Sequence, residues 1–326
     1  MKKQIVTFFL MLLPVVASAE TVIIDGIYYN LNDENNVAEV TRNPNKYVGE
    51  IVIPDTVSYE GVEFCVTAIK DGAFEECIAL TSVTIPNSVT SIGYEAFKGC
   101  SDLASISIGD NVVLIDGYAF FGCSSLTSVT IGTNVTSIGL GAFARCTGLT
   151  SVVIPDGVER IGESAFAYCS NLTTVSIGSS VKFIMQKAFE SCPNLKDFYC
   201  YSEYVPYTGV LVFRESYIEK ATLHVQEPSD YDNREPWKNF EKIEALADIT
   251  GLNGIQSDGI RVQAIGGLLT IEGAVEGTPV IVYDTTGRLL ASAMTTKQAA
   301  RIATSLRKGA VAIVKVGDRV EKVVMK

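Results

Sequence analysis

The sequence predicts a mainly β solenoid, a stack of parallel strands with short helical or 3₁₀ turns, followed by a small C-terminal β-sandwich. Three observations lead to this prediction. Six cysteines recur with a constant 23-residue period and no gap, and phenylalanines and leucines keep the same period. Residues 246–326, in contrast, are short apolar runs separated by turn residues. The six cysteines are Cys77, Cys100, Cys123, Cys146, Cys169 and Cys192.

One repeat unit contains a strand and a turn. In LTSVTIP, residues 80–86, Val83 and Ile85 alternate with Thr84 and therefore share one face of a strand, which Pro86 ends. Phe97 and Cys100 lie three positions apart, a spacing that suits one helical or 3₁₀ turn facing the same core. A fixed period with this leucine spacing is the signature of leucine-rich repeats, which bury their apolar faces only by stacking.

Residues 1–19 form a predicted secretory signal. Lys2 and Lys3 precede a mostly apolar stretch, and Ala17-Ser18-Ala19 matches a small-residue cleavage site, so cleavage is expected between Ala19 and Glu20. The apolar stretch is too short to span a bilayer as a helix, and no later segment of the sequence supplies a span. We therefore expect an exported protein without a transmembrane segment.

The rest of the chain divides into four predicted regions. The first holds a half-repeat and a hairpin that turns at Glu60-Gly61. The regions are an N-terminal cap (20–65), six repeats (66–203), a C-terminal cap (204–248), and a linker with the small β-sandwich (249–326).

The repeated cysteines allow two interpretations. Cysteine packs as a small apolar side chain, so the six repeat cysteines are expected to form a buried ladder of free thiols, which Cys200 joins from a strand position. The alternative is a disulfide framework, because an exported chain with eight cysteines has an even number to pair. Cys65 lies in a non-repeating insertion and is assigned to neither.

The charges argue against some partners. Residues 20–245 carry 14 Lys and Arg against 30 Asp and Glu, whereas residues 246–326 carry 10 against 7. An acidic body disfavours nucleic acid and anionic membrane surfaces as partners. Simple solubility explains the same charges.

Catalytic signals are sparse. His224 is the single histidine and lies in an apolar strand pattern, so we interpret it as a strand residue near the cap. The cysteines lack zinc-site spacing, and no paired acids or phosphate-binding glycine loop stand out. The sequence therefore predicts a protein that is not an enzyme and uses no metal or cofactor. An exported enzyme acting on polysaccharide, or its carbohydrate-binding accessory, is the alternative.

A candidate binding surface follows from the outward strand positions. Five repeats place mainly Ser and Thr there, and the sixth places Lys196, Asp197 and Tyr199. Tyrosine is enriched at binding hot spots, so we predict partner binding at these three residues on the C-terminal part of the sheet face. The alternatives are strand propensity with solubility for the hydroxyls, and a role in the cap core for the tyrosines.

The repeat pattern, Val-Thr-Ser-Ile-Gly followed by Ala-Phe-x-x-Cys, resembles the BspA-like bacterial leucine-rich repeats of Bacteroidales-type bacteria over residues 22–246. The resemblance implies a secreted or surface protein that binds a protein or glycan, such as a host matrix or mucus component. In the C-terminal region 249–326, IVYDTTGR (281–288) followed by LRKGAVAIVKV (306–316) resembles type IX secretion sorting domains, with a degenerate tail as the alternative. Thr56 and Thr285 resemble Bacteroidetes O-glycosylation sites, although such short patterns also occur by chance.

Overall fold

Each sequence repeat forms one coil of a parallel β solenoid. The structure is a computed structural model that describes residues 20–246 and, beyond them, seven strands between residues 261 and 324. Every complete coil contributes a longer strand to one side of the solenoid and a two-residue strand to the other. The predicted solenoid is therefore confirmed, and the coils stack in the register that the 23-residue period requires.

The longer strands form the side of the solenoid that we call the recognition face. They lie in two adjoining parallel sheets, in the orders β11-β9-β7-β4 and β13-β15-β17-β19-β20. The strands are β4 (Gly49–Val52), β7 (Leu80–Thr84), β9 (Ser105–Ser107), β11 (Ser128–Thr130), β13 (Ser151–Ile154), β15 (Thr174–Ile177), β17 (Asp197–Cys200), β19 (Thr222–Val225) and β20 (Lys242–Ala245).

The opposite side is a second sheet that continues into the N-terminal strands. Its order is β1-β2-β3-β6-β8-β10-β12-β14-β16-β18, and β5 pairs with β6. The strands are β1 (Glu20–Ile24), β2 (Ile27–Asn32), β3 (Val37–Val40), β5 (Thr56–Tyr59), β6 (Val62–Ile69), β8 (Ser91–Ile92), β10 (Leu114–Ile115), β12 (Ser137–Ile138), β14 (Arg160–Ile161), β16 (Phe183–Ile184) and β18 (Tyr207–Thr208).

The hairpin between β5 and β6 turns at the residues that the sequence indicates. Tyr59 pairs with Val62, and the two intervening residues, Glu60 and Gly61, have φ values of 49° and 82°. Positive φ at both central residues is the requirement of a type I′ turn, whose twist matches that of antiparallel strands. This hairpin extends the non-repeating N-terminal region beside the first coil.

Stacked phenylalanines fill the centre of the solenoid. From Phe74 to Phe189, one ring per coil lies 4.7 to 5.4 Å from the next, with planes tilted by no more than 9°. All six rings are 0% exposed. Because each ring contacts its equivalents in the coils before and after it, the core is continuous along the solenoid.

The cysteine ladder lies beside these rings. Each thiol from Cys100 to Cys192 donates a hydrogen bond to the carbonyl oxygen of the phenylalanine one coil earlier, at Sγ–O distances of 3.0 to 3.3 Å. All eight cysteines are free; seven are buried and Cys65 is exposed. Burial holds the thiols protonated and raises the pKa of Cys192 to about 12. The structure therefore agrees with the free-thiol interpretation.

We expect a thiol titration to separate Cys65 from the other cysteines. The folded protein should react at one thiol, because the remaining seven are buried and their protonated form is inert. In denaturant, without reductant, all eight should react. Cys65→Ala is the control and should remove the fast-reacting thiol alone. Fewer than eight thiols in non-reducing denaturant would contradict the free ladder and favour disulfides.

The Ala-Phe-x-x-Cys segments are tighter than a regular helix. They are turns held by bonds such as Cys77 N to Phe74 O, at 3.0 Å, and by coil-to-coil bonds such as Phe97 N to Ala119 O, at 2.7 Å. Two positions in each coil have left-handed φ, for example Tyr118 at 55° and Gly122 at 73°. In the described residues, regular 3₁₀ helices occur only in the C-terminal cap, which refines the expected helical turns.

An aromatic cluster closes the C-terminal end of the solenoid. Phe198 lies within 5.8 Å, ring to ring, of both Phe213 and Trp237, and Trp237 is 1% exposed. Three short 3₁₀ helices accompany this cluster: Ile218–Lys220, Pro228–Asp230 and Trp237–Asn239. These bulky side chains cover the last coil, whose apolar interior would otherwise face water.

The C-terminal strands form two small antiparallel sheets with a common core, which we call the C-terminal module. The sheet orders are β21-β22-β25 and β24-β23-β26-β27. Leu269 and Ile271 of the first sheet pack in one cluster with Val280 and Val314 of the second. The strands are β21 (Arg261–Ile265), β22 (Leu268–Glu272), β23 (Pro279–Tyr283), β24 (Leu289–Met294), β25 (Ala300–Ala303), β26 (Val311–Val316) and β27 (Arg319–Val324).

Across residues 20–246 and the seven later strands, no helix combines the length and the apolar character of a membrane span. The exact boundaries of the predicted domains stay predictions.

Candidate recognition face

The N-terminal half of the recognition face carries a row of hydroxyl groups. The outward residues of β7, β9 and β11 are small and uncharged, and they range from half-buried to exposed. Among the described residues, these hydroxyls have no hydrogen-bond partner, so they face solvent with donor and acceptor capacity unused. We call this set the hydroxyl ladder: Ser82, Thr84, Ser105, Ser107, Ser128 and Thr130.

A neighbouring row of threonines is used differently. Thr127 Oγ1 donates to Ala104 O at 3.2 Å, and Thr173 Oγ1 donates to Thr150 O at 2.9 Å. Each hydroxyl therefore satisfies a carbonyl of the preceding coil at the start of the strand. Thr127 and Thr173 thus stabilise the stack of coils, whereas the hydroxyls of the ladder remain able to bond to a partner.

The predicted partner-binding residues lie together on the C-terminal half of the face. Lys196 is exposed, whereas Asp197 and Tyr199 are half-buried. Asp197 Oδ1 lies 2.9 Å from His224 Nε2, and the Tyr199 ring stacks on the His224 ring with centroids 4.2 Å apart. That these residues bind a partner stays a prediction. In the described part of the chain, the His224 ring has no hydroxyl or thiol hydrogen-bond partner.

The C-terminal module covers part of this half. Tyr201 packs with Tyr283 and Ile313 of the module, and Tyr199 and Val153 contact the same cluster. Burial raises the pKa of Tyr199, whose hydroxyl also hydrogen-bonds to that of Tyr283. The recognition face therefore has an open N-terminal half and a partly covered C-terminal half.

Three tyrosines that follow β17 take different positions. Tyr201 is 7% exposed under the module, whereas Tyr204 and Tyr207 are 76% and 64% exposed. Tyr207 belongs to β18 on the opposite side of the solenoid, where its ring meets Phe183 edge to face at 6.3 Å. Only the first of the three therefore extends the Tyr199 surface.

Sequence reasoning did not place His224 on this face. Tyr199 and His224 are register partners in β17 and β19, yet their separation departs from the 23-residue period because the cap lengthens the last coil. Pairing β17 with the ATLHV strand by its apolar positions, instead of by the period, would have aligned them. The contact from Tyr283 was also missed, because it joins the solenoid to a region of the chain outside the repeats.

The other predicted sites lie partly within and partly outside the described residues. Thr56 is exposed at the start of β5, so its hydroxyl is accessible, and its modification stays a prediction. Residues 1–19 with Ala19, and Thr285, lie outside the described residues, so cleavage before Glu20 and modification of Thr285 also stay predictions. In the described part of the chain, no three His, Cys, Asp or Glu side chains group as metal ligands would. The expectation of no metal or cofactor is untested.

Comparisons with known proteins find leucine-rich repeat proteins. The family model described as "BspA type Leucine rich repeat region" matches six copies over residues 66–225. A leucine-rich repeat protein of T. pallidum has 31% identity and a TM-score of 0.55, over 62% of this chain and 91% of that one. A leucine-rich repeat protein from Bacteroides ovatus has 25% identity and a TM-score of 0.50, over 69% of this chain and 67% of that one. A search of curated proteins finds no significant match.

The matched copies coincide with the coils that carry the phenylalanine stack and the cysteine ladder, and the structure of the T. pallidum relative is matched over most of its length. The fold and the sequence matches therefore agree: the chain belongs to the BspA-type leucine-rich repeat family.

Proposed function

We propose that this chain is an exported, non-enzymatic binding or adhesion protein that holds its partner on the recognition face. The hydroxyl ladder is the observation that supports this proposal. It is a flat row of uncharged donors and acceptors on strands fixed by the stacked core. A rigid surface loses little conformational entropy when it binds, so modest contacts convert efficiently into affinity.

The proposed partner is a protein or glycan, such as a component of host extracellular matrix or mucus. Hydroxyl groups both donate and accept hydrogen bonds, which suits the polar groups of a glycan or of an extended protein segment. The formal net charge of −11 disfavours nucleic acid. Lys196, Asp197 and Tyr199 add a charged and aromatic edge to the same face, and we include them in the proposed site.

The proposed location is outside the cell or at the cell surface. Residues 1–19 have the pattern of a secretory signal, and bacterial surface repeat proteins are known in this family. We further propose that the C-terminal module acts as a sorting domain. Deletion of residues 250–326 followed by cell fractionation tests this: an unchanged location would rule sorting out.

Binding to immobilised collagen, laminin and mucin tests the proposed function. The double variant Ser105→Arg, Ser107→Arg should weaken binding about tenfold or more, because two long cations obstruct the hydroxyl ladder; tenfold corresponds to about 1.4 kcal/mol. Leu114→Arg is the control, since Leu114 is exposed on the opposite sheet. Equal binding by all three proteins would contradict use of this face. Turnover of a glycan by the unmodified protein would favour the enzyme alternative.

A second pair of variants tests the predicted edge of the site. Lys196→Ala with Tyr199→Ala should reduce affinity by about 1–2 kcal/mol, a typical cost of truncating anchor residues. Tyr199 stacks on His224 and contacts the module, so the melting temperature of the double variant is compared with that of Lys196→Ala alone. Lys196→Ala should melt as the unmodified protein does, since Lys196 is exposed. A fall in melting temperature that accounts for the lost binding would assign Tyr199 to the scaffold.

A further inference from the structure

The two central strands of one sheet of the C-terminal module, β23 and β26, carry apolar side chains that pack on both faces. In β23, Val280 and Val282 point into the module's own core, whereas Ile281 and Tyr283 pack toward the solenoid. The strand PVIVY thus lacks the apolar-polar alternation of a sheet with one wet face. Continuous apolar runs are typical of strands covered on both sides.

The neighbouring strand β26 shows the same division. Ala312 and Val314 belong to the module's core, and Ile313 between them belongs to the cluster with Tyr201. Because β23 and β26 are paired with Tyr283 opposite Ile313, the two side chains form one apolar patch on the solenoid side. Both the sequence and the packing therefore indicate a covering layer for this patch.

On the solenoid, the exposure of two equivalent serines can be compared. Ser107 and Ser176 occupy the same outward position in coils that are three repeats apart. Ser107 is exposed, whereas Ser176 is 2% exposed although it is polar and outward-facing. Ser176 lies between Val153 and Tyr199, which both contact the cluster with Tyr283 and Ile313, so its burial agrees with a cover over this part of the face.

We propose that the C-terminal module is an intramolecular cover that competes with the external partner for the Tyr199 and Tyr201 surface. This inference rests on the proposed function only for the partner; the cover itself does not depend on it. The contact has the character of an exchangeable domain interface, with three buried residues, Tyr201, Tyr283 and Ile313, and a hydroxyl-hydroxyl hydrogen bond at its edge.

Competition follows from covalent linkage. A module tethered by a short linker is present at its docking surface at an effective concentration of about millimolar. The closed form, in which the module covers Tyr199 and Tyr201, is therefore the more populated one even if the contact itself is weak. The apparent affinity of a partner that needs Tyr199 then falls by the fraction of molecules that are open. A partner that uses only the hydroxyl ladder is unaffected. Binding at the C-terminal half of the recognition face therefore requires the module to undock, whereas the hydroxyl ladder is open at all times.

Hydroxyl-radical footprinting of the full chain, read by mass spectrometry, tests the cover directly. In the unmodified protein, Tyr199 and Tyr201 should be labelled several-fold more slowly than Tyr204 and Tyr207. Ser176→Arg should raise labelling at Tyr199 and Tyr201 several-fold, because an arginine does not fit under the module. Ser107→Arg is the matched control and should leave both unchanged.

A second variant, in the module, tests the same contact without changing the solenoid. Ile313→Asp places a charge in the contact from the module's side and should expose the same two tyrosines while Tyr29 in the core stays protected. If Tyr199 and Tyr201 are labelled as fast as Tyr204 in the unmodified protein, or if neither variant changes their labelling, the cover is disproved.

The same variants separate failure of the cover from failure of the proposed function. On immobilised collagen, laminin and mucin, Ser107→Arg should weaken binding through the hydroxyl ladder. For a partner whose binding Tyr199→Ala weakens, Ile313→Asp should raise the apparent affinity, because a larger fraction of the molecules is then open. No binding by any variant, with intact footprinting differences, would reject the function and retain the intramolecular contact. Binding that is equal with and without Ile313→Asp would reject competition.

Discussion

Raising the pH from about 7.5 to about 9.5 should lower the free energy of unfolding by several kcal/mol, because the cysteine ladder must stay protonated to remain buried. In the unfolded chain a thiol ionises near pH 8.5. In the folded chain, burial raises the pKa of Cys192 to about 12 and that of Cys146 and Cys169 well above the ordinary value, whereas the pKa of Cys100 is raised first by its hydrogen bond with Cys123 and then by burial.

The direction of the effect follows from these raised pKa values. The stability that a protonated thiol provides is fully present below the unfolded pKa and is lost as the pH rises toward the folded pKa. Each thiol thus costs about 1.4 kcal/mol for one pH unit above about 8.5. The four ladder thiols whose pKa is strongly raised, Cys100, Cys146, Cys169 and Cys192, together cost on the order of 6 kcal/mol at pH 9.5, against a whole stability of about 5–15 kcal/mol for a typical domain.

Urea unfolding followed by circular dichroism, at several pH values in oxygen-free buffer without reductant, measures this loss. The control variant Cys146→Ala should be less stable at pH 7.5 but lose about 1.4 kcal/mol less between pH 7.5 and 9.5, since it has one titrating thiol fewer. A free energy of unfolding that stays constant over this range would contradict the free ladder, because disulfides have no proton to lose.

Phe120→Ala should destabilise the solenoid by about 3–5 kcal/mol, the usual cost of truncating a buried aromatic side chain. The ring is 0% exposed and is stacked between Phe97 and Phe143 at 5.0 Å on each side. Its removal leaves a cavity in the middle of the stack and weakens the contact between two coils at once. Denaturant unfolding at neutral pH measures the change.

Phe183→Ala is the matched control for this prediction. Phe183 is 44% exposed on the opposite sheet, so its truncation should cost under about 1 kcal/mol. A similar small loss for Phe120→Ala would mean that neighbouring coils close over the cavity. A biphasic transition in Phe120→Ala alone would show that the coils on either side unfold separately, as expected for repeats that contact only their neighbours.

The repeats could be predicted because equivalent positions recur every 23 residues in the sequence. Phe97 and Phe120 contact each other and are separated by the same 23-residue period as the other neighbouring pairs in the stack. A local pattern therefore specifies a contact between coils, and the burial of Cys146 or Leu149 follows from the register. The prediction of the recognition face also depends only on alternation along each strand.

The covered half of that face was not predictable by the same reasoning. Ile313 lies in the C-terminal module and Tyr199 in the last repeat, and no periodic spacing connects them. The sequence carries one signal of the contact, the lack of alternation in PVIVY and VAIVKV, but this signal gives no information about which surface covers the strands. The position of His224 was not predictable for the same reason. His224 pairs with Tyr199, but the cap makes their separation in sequence differ from 23 residues.

The near-parallel stacking of the phenylalanine rings makes the molecule extensible in fixed increments. Phe97, Phe120 and Phe143 have equivalent neighbours at equal 5.0 Å spacings, so a tandem duplication of residues 112–134 would insert a coil between surfaces already complementary to it. The overall length would grow by one ring spacing, and the hydroxyl ladder would gain one pair of groups without any new side-chain environment. In-frame duplication and loss of whole units are thus a direct means for such a chain to change the length of its recognition face.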